Sequence, residues 1–271
     1  MKLATVSWTF GLEELDELFA KVQSIGFSAL QFCGDFRRYS PQEVIETARK
    51  YAIEIVGYDP FNCQPPDKES ATLENSVAFY RQVIDYAAAL KAPVATLQGL
   101  SFWTTNQADY ESGMQQIIEA VRQLNDYAKT QQVLLTYEAC CHYETPLVHT
   151  ADELLRILHE SRADNLKLVL DSFHMNIDEP NPLDSLRKIN GERLYSYHVS
   201  DSGRGGMGTG HIDFQHQRKV LEEIGFDGLV CFETVIPECR PAKFPMNAEQ
   251  MAELSRQLKA SLTAWQQLSN K

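Results

Sequence analysis

The stretch LKLVLDSFH at residues 166–174 joins a mostly apolar run to a polar ending. Two further stretches, VLLTYEA at 133–139 and GLVCFET at 228–234, have the same form and also end beside a carboxylate. Apolar runs without strict alternation are typical of strands that are covered on both faces, as in a parallel sheet. These stretches therefore predict buried parallel strands whose C-terminal ends carry ionisable side chains.

Eight candidate strands occur along the chain, with starts about 24 to 40 residues apart. They cover residues 3–8, 29–34, 53–59, 93–99, 133–139, 166–173, 194–202 and 228–234. Apolar residues at helical spacing predict helices over 12–25, 70–90, 109–130 and 246–268. Capping boxes predict two more helices, beginning after Ser40 and after Thr150.

Eight strand–helix units in 271 residues predict one (β/α)₈ barrel domain over residues 1–271. A doubly wound open sheet is the alternative architecture. It requires a glycine-rich first turn, which residues 7–11 (SWTFG) do not provide. The barrel is therefore the favoured fold.

The charge balance and the composition limit the kinds of partner. Asp and Glu number 37 against 25 Lys and Arg, for a net charge of −12, which repels nucleic acids and anionic membrane surfaces. No stretch approaches the roughly 20 apolar residues of a membrane span. The N-terminus has no signal-peptide pattern, and none of the six cysteines forms a CxxC pair. We expect a cytoplasmic protein with reduced thiols and neither nucleic acid nor membrane as partner.

Four consecutive predicted strands, the fifth to the eighth, end in ionisable residues: Glu138, Asp171, His198 and Glu233. In a (β/α)₈ barrel the C-terminal strand ends share one face, where the chemistry is done. Three carboxylates at one opening cannot all be ionised without a positive centre. Three oxygen donors and an imidazole suit Mn²⁺, Mg²⁺ or Co²⁺. The sequence thus predicts a divalent metal site, whereas the first four strands end without comparable His or acidic clusters.

Motifs between residues 133 and 235 resemble the xylose-isomerase-like TIM barrels, and among them the D-tagatose/D-psicose 3-epimerase group. The fifth strand carries a Glu with a second Glu six residues later, the sixth carries DSFHMN at 171–176, and the seventh carries a His with an Arg six residues later. A glycine-rich turn, GTGHIDF at 208–214, follows, and a Glu ends the eighth strand. The resemblance covers the whole chain in the order of its elements.

The resemblance implies a role for each matching residue. Glu138, Asp171, His198 and Glu233 would bind the metal, most simply Mn²⁺, and Glu138 and Glu233 would also act as the acid/base pair. Glu144, a protonated His174 and Arg204 would hold substrate oxygens. The resemblance also implies a sugar substrate and a homodimer.

The implied reaction is C3 epimerisation of a ketose or keto-sugar through an enediolate. A proton beside a carbonyl is removed on one face and returned on the other, which requires two bases. An inosose-type dehydratase or a hydroxypyruvate-type isomerase on the same scaffold is the alternative. A DNA-repair endonuclease is opposed by the acidic charge, and a binding module with a closed structural metal by the ligand-holding residues nearby. Residues 139–142 and Met207 depart from the family pattern in the loops that shape the pocket, so the sugar stays open.

Overall fold

A closed barrel of eight parallel strands forms the centre of the computed structural model, which describes residues 1–236, 239 and 243–268. The strands, paired in chain order with β8 closing on β1, are β1 Lys2–Val6, β2 Ala29–Gly34, β3 Glu54–Pro60, β4 Val94–Thr96, β5 Leu134–Glu138, β6 Leu166–Asp171, β7 Leu194–Val199 and β8 Leu229–Phe232. The predicted (β/α)₈ fold is confirmed. A single domain over residues 1–271 stays a prediction, because 237, 238, 240–242 and 269–271 lie outside the described residues.

Helices surround the barrel. They are α1 Leu15–Ile25, α2 Pro41–Lys50, α3 Leu73–Leu90, α4 Tyr110–Thr130, α5 Ala151–Ser161, α6 Ser172–Asp178, α7 Pro182–Arg193, α8 Phe214–Glu223 and α9 Ala248–Leu268. Both predicted capping boxes are present: Ser40 and Glu43 begin α2, and Thr150 and Glu153 begin α5. Among the described residues, no helix is both long enough and apolar enough to cross a membrane.

Six strands, β1 and β4 to β8, end earlier than the sequence predicts. β6 stops at Asp171 rather than at 173, because the Asp171 carboxylate accepts the backbone N–H groups of Phe173 and His174 and so begins α6. β7 stops at Val199 rather than at 202. β1 stops at Val6, and a 3₁₀ turn at Trp8–Phe10 carries Trp8 over the strand ends.

Alternation along the strands separates two apolar layers. Phe232 of β8 and Tyr197 of β7 face outward and pack on Trp265 of α9. The neighbouring positions belong to the smaller inner cluster, made of Ala4, Val6, Ala29, Val56, Leu229 and Cys231. Because side chains alternate along a strand, Glu233 has the inward direction of Cys231. The same alternation turns Glu138 at the end of β5, Asp171 at the end of β6 and His198 near the end of β7 toward the barrel axis.

Candidate active site

The four predicted metal ligands meet at the C-terminal end of the barrel, which we call the mouth. Glu138 is the last residue of β5, Asp171 the last of β6, and His198 the last but one of β7, while Glu233 follows β8 directly. One donor atom from each lies within 4.8 Å of the others. All four side chains are buried, with Glu138 the most accessible at 7% exposure.

His198 lies between two of these carboxylates. Its Nδ1 is 2.9 Å from Glu233 Oε2 and 3.3 Å from Glu138 Oε1. Burial lowers the pKa of His198, but the two glutamates outweigh burial and raise that pKa well above its usual value. For the Glu233 carboxyl, burial has the opposite effect and raises the pKa. The hydrogen bond with His198 and the charge of Arg204 outweigh burial and lower that pKa to about 2. The arrangement therefore holds a positively charged His198 beside the ionised carboxylate of Glu233.

Two carboxylate oxygens at this point have no hydrogen-bond partner among the described residues. They are Glu138 Oε1 and Asp171 Oδ2, both shielded from solvent. The other Asp171 oxygen caps α6. One carboxylate oxygen therefore stabilises the start of the helix, and the second remains available to the cluster. Burial, together with the charges of Glu233 and Glu138, raises the pKa of Asp171 well above its usual value. Unpartnered buried oxygens in an oxygen-rich set fit a divalent cation such as Mn²⁺ or Mg²⁺.

The residues predicted to hold substrate lie beside this cluster. Arg204 forms an ion pair with Glu144, and its Nη2 is 3.3 Å from Glu233 Oε1. His174 Nε2 is 3.9 Å from Glu144 Oε2. All three line one cavity of about 520 Å³ together with Glu138, His198 and Glu233. That volume falls within the roughly 300–1,000 Å³ usual for small-molecule pockets.

The structure corrects the expected charge of His174. Its Nδ1 accepts the backbone N–H of Cys141 at 3.1 Å, so the ring proton of the neutral imidazole is on Nε2. Burial lowers the pKa of His174 below its usual value. His174 is therefore neutral rather than protonated, and it still presents an N–H donor toward Glu144 and the cavity.

Arg204 is fixed by aromatic rings and by its loop. Its guanidinium carbon is 5.4 Å from the centre of the Trp8 ring and 5.1 Å from that of Phe173. The backbone has a left-handed φ of 66° at Arg204, and buried Asp201 accepts the N–H groups of Ser202, Gly208 and Ile212 in the same loop. The loop therefore directs this buried guanidinium inward, unlike a solvated loop charge.

Three further polar residues line the cavity, and two of them, Asp59 and Gln98, were not predicted from the sequence. Trp8 Nε1 donates to Glu233 Oε1 at 2.8 Å. Asp59, near the end of β3, accepts from Thr96 Oγ1 at 2.7 Å and from Gln98 Nε2 at 2.9 Å. Trp8, Asp59 and Gln98 all line the cavity. Asp59 ends a predicted strand just as Glu138 does, so the same criterion of a strand-end carboxylate would have found it.

Comparisons with known proteins agree with this architecture. The family model described as xylose isomerase-like TIM barrel matches residues 19–260. The chain is 26% identical over 227 residues to D-psicose 3-epimerase of Enterocloster bolteae, a match that covers 80% of this chain and 75% of the relative. It is 36% identical over 115 residues to ketose 3-epimerase of Arthrobacter globiformis, covering 42% of this chain and 39% of the relative.

A solved structure shows the same fold over the whole chain. The structure of D-psicose 3-epimerase with D-tagatose from Clostridium cellulolyticum H10 superimposes with a TM-score of 0.81 at 20% identity. The superposition covers 99% of both chains. The fold is thus shared with this solved structure over nearly the whole of both chains.

Proposed function

The chain belongs to the xylose isomerase-like TIM barrel family and is an isomerase, and from that premise we propose that it epimerises a ketose or keto-sugar at C3. The observation that carries the proposal is the pair Glu138 and Glu233, which approach His198 from strands on either side of it. Inversion at a carbon needs a proton acceptor on one face and a proton donor on the other. Two separate carboxylates at one cavity provide both.

The same residues support dependence on a divalent metal, which we propose to be Mn²⁺, with Mg²⁺ or Co²⁺ as substitutes. Glu138, Asp171, His198 and Glu233 would hold it. When bound, such an ion supplies positive charge where negative charge develops on the substrate oxygens. The structural support for this site is that Asp171 Oδ2 and Glu138 Oε1 are buried without a hydrogen bond among the described residues, although Glu138 Oε1 lies 3.3 Å from His198 Nδ1.

Proton transfer is assigned to the two glutamates. One takes the proton from C3 and leaves an enediolate, and the other, carrying a proton, delivers it to the opposite face; the reverse reaction exchanges their roles. Glu233 is kept ionised by His198 and Arg204, and Trp8 fixes the direction of its carboxylate. The enclosed position of both glutamates limits the loss of the proton to bulk water.

Arg204, His174 and Glu144 are assigned to substrate binding. The Arg204 guanidinium has a permanent charge and donates to oxygens that become negative. Neutral His174 donates from Nε2, and Glu144 accepts from substrate hydroxyls. These three groups already contact one another or lie close together, so a ligand that enters replaces contacts within the trio.

Replacement of each glutamate by glutamine tests the proposal. In the presence of Mn²⁺, Glu138→Gln and Glu233→Gln should each reduce C3 epimerisation and C3 exchange in deuterated solvent by about 10²- to 10⁴-fold, the usual contribution of general acid–base groups. Glu249→Gln, on the exposed surface of α9, is the matched control. Full exchange in both active-site variants contradicts the mechanism, and a product lighter by one water indicates a dehydratase.

The homodimer implied by the family is also a proposal. Light scattering during size-exclusion chromatography measures the molar mass in solution. The expected result is a mass close to that of two chains.

A further inference from the structure

A second polar group lies across the mouth from Arg204. In the closed order of strands, β3 and β4 are opposite β7 and β8. Asp59 lies near the end of β3, with Thr96 at the end of β4 and Gln98 just beyond it. The Asp59 carboxylate accepts one hydrogen bond from Thr96 and one from Gln98. Two neighbouring strands thus hold this carboxylate in a fixed position.

Asp59 retains capacity for further hydrogen bonds. An ionised carboxylate has about four acceptor positions, and the described residues use two of them at Asp59. Gln98 Oε1, in the same group, is shielded from solvent and has no hydrogen-bond partner among the described residues. Asp59 and Gln98 both line the 520 Å³ cavity. Their spare acceptors therefore call for donor groups on a ligand.

The group is separate from the proposed metal centre. Asp59 belongs to none of the described clusters whose donor atoms lie within 4.8 Å of one another. Burial raises the pKa of Asp59 to about 7, with smaller contributions from the charges of Glu138 and Glu233, although Thr96 lowers it. Hydroxyl donors from a ligand would stabilise its ionised form.

We propose that Asp59 and Gln98 form a hydroxyl-binding subsite that holds the far end of the substrate chain and so selects long, hydroxylated ketoses. This inference rests on the proposed function, because C2 and C3 must lie beside Glu138 and Glu233. The rest of the chain then extends along the cavity toward β3 and β4, where adjacent hydroxyls meet the spare acceptors. The substrate class is a ketose with hydroxyls at C5 and C6, in the free rather than the phosphorylated form, since a phosphate would meet the Asp59 carboxylate.

Asp59→Asn is the decisive variant. It keeps the shape of the side chain and removes one acceptor and the charge. Gln98 can turn its amide so that Oε1 accepts from Asn at position 59, which leaves the group hydrogen bonded and the fold supported. Gln98→Met is the second variant; without changing charge, it removes the spare acceptor Oε1 and also the Nε2 donor to Asp59. Asp67→Asn, exposed in the loop that follows β3, is the matched control.

The experiment compares D-fructose, which carries hydroxyls at C5 and C6, with four-carbon D-erythrulose, which lacks both carbons. We measure kcat/KM for C3 exchange by the manganese-loaded protein. Asp59→Asn should lower the ratio of fructose to erythrulose activity by about 10- to 100-fold, the cost of losing hydrogen bonds to a charged group, and Gln98→Met should lower it in the same direction. The change should lie mainly in KM, because the far end is held equally before and during proton transfer. An unchanged ratio overturns the subsite, whether both activities fall or neither does.

Binding separates the failure of the subsite from failure of the proposed function. If the unaltered protein exchanges C3 of neither ketose, the epimerase proposal fails, and ligand-observed NMR titration then compares the two sugars directly. Weaker fructose binding in Asp59→Asn than in Asp67→Asn supports the subsite. Equal fructose binding in both variants overturns it.

Discussion

The two halves of the mouth differ in what their strand ends carry. The β5–β8 half carries Glu138, Asp171, His198 and Glu233, whose donor atoms lie within 4.8 Å of one another. The β1–β4 half carries one ionisable carboxylate in the cavity, Asp59, held by a hydroxyl and an amide. Dense, paired charge is suited to moving protons and binding a cation, whereas spare neutral and carboxylate acceptors are suited to sugar hydroxyls. Under the two proposals, the β5–β8 half of the cavity carries out the chemistry and the β1–β4 half selects the substrate.

The largest effect is expected on metal affinity, when the charge of Asp171 in the β5–β8 half is removed. Asp171→Asn should weaken Mn²⁺ binding by about 3–5 kcal/mol, or roughly 10²- to 10⁴-fold, as for removal of one charge from a buried ionic group. Calorimetric titration of the chelator-treated protein measures the affinity. Asparagine is also a good helix cap, so α6 should keep its start and the far-ultraviolet circular dichroism should be unchanged. Asp213→Asn, at the exposed cap of α8, is the control, and equal affinities in the two variants would remove Asp171 from the metal site.

A smaller effect, in the same half, is expected from pH. The raised pKa values of His198 and Asp171 mean that both hold protons in the metal-free protein at pH values where the free side chains would have lost them. A cation must displace these protons, so affinity should rise with pH, by about tenfold per pH unit for each proton released. Titrations in buffers of different ionisation enthalpy count the protons. Affinity that is constant between pH 6 and 8, or that falls as pH rises, would contradict the assigned ligands, the pH range being roughly that in which imidazoles titrate.

Trp8 links the two halves, and its removal should have an intermediate effect. Trp8→Phe removes the donor to Glu233 at 2.8 Å and keeps an aromatic ring beside Arg204. We expect kcat to fall by about tenfold, the lower range for losing a hydrogen bond to a charged group. A change confined to KM would assign Trp8 to substrate packing alone. Trp103→Phe, whose indole donates to the Cys63 carbonyl away from the glutamates, is the comparison variant.

The smallest effect is expected at His211, in the glycine-rich turn beyond Arg204. Its side chain is exposed, and its backbone N–H donates to Ser202. His211→Ala should change the free energy of unfolding by less than about 0.5 kcal/mol, as is usual for surface positions, and should leave kcat/KM unchanged. Thermal unfolding and the C3 exchange assay measure both, and a marked loss of activity would extend the site into this turn.

The β5–β8 half could be predicted from the sequence because several local signals agree there. Each apolar run ends at an ionisable residue, and the barrel topology brings consecutive strand ends to one face. For Asp171, membership of the four-residue cluster was predictable from its position at the end of β6. Its second task, capping α6, was not, because the helix is only seven residues long and has no periodic pattern to reveal it.

The β1–β4 half was harder to predict because its residues act through partners distant in sequence. Asp59 is a single carboxylate whose partners Thr96 and Gln98 lie 37 and 39 residues away. The β5–β8 half contains one comparable case, since the neutral state of His174 depends on the N–H of Cys141, 33 residues away. Strand-end position identifies candidates for a site, whereas protonation and pairing follow from contacts that only the folded chain provides.

Chelator treatment followed by return of Mn²⁺ tests the central claim most directly, with C3 deuterium incorporation into ketoses as the measurement. Deuterium exchange at C3 should stop in the chelator-treated protein and should return once about one ion binds per chain. Exchange at the same rate with and without the ion would contradict it.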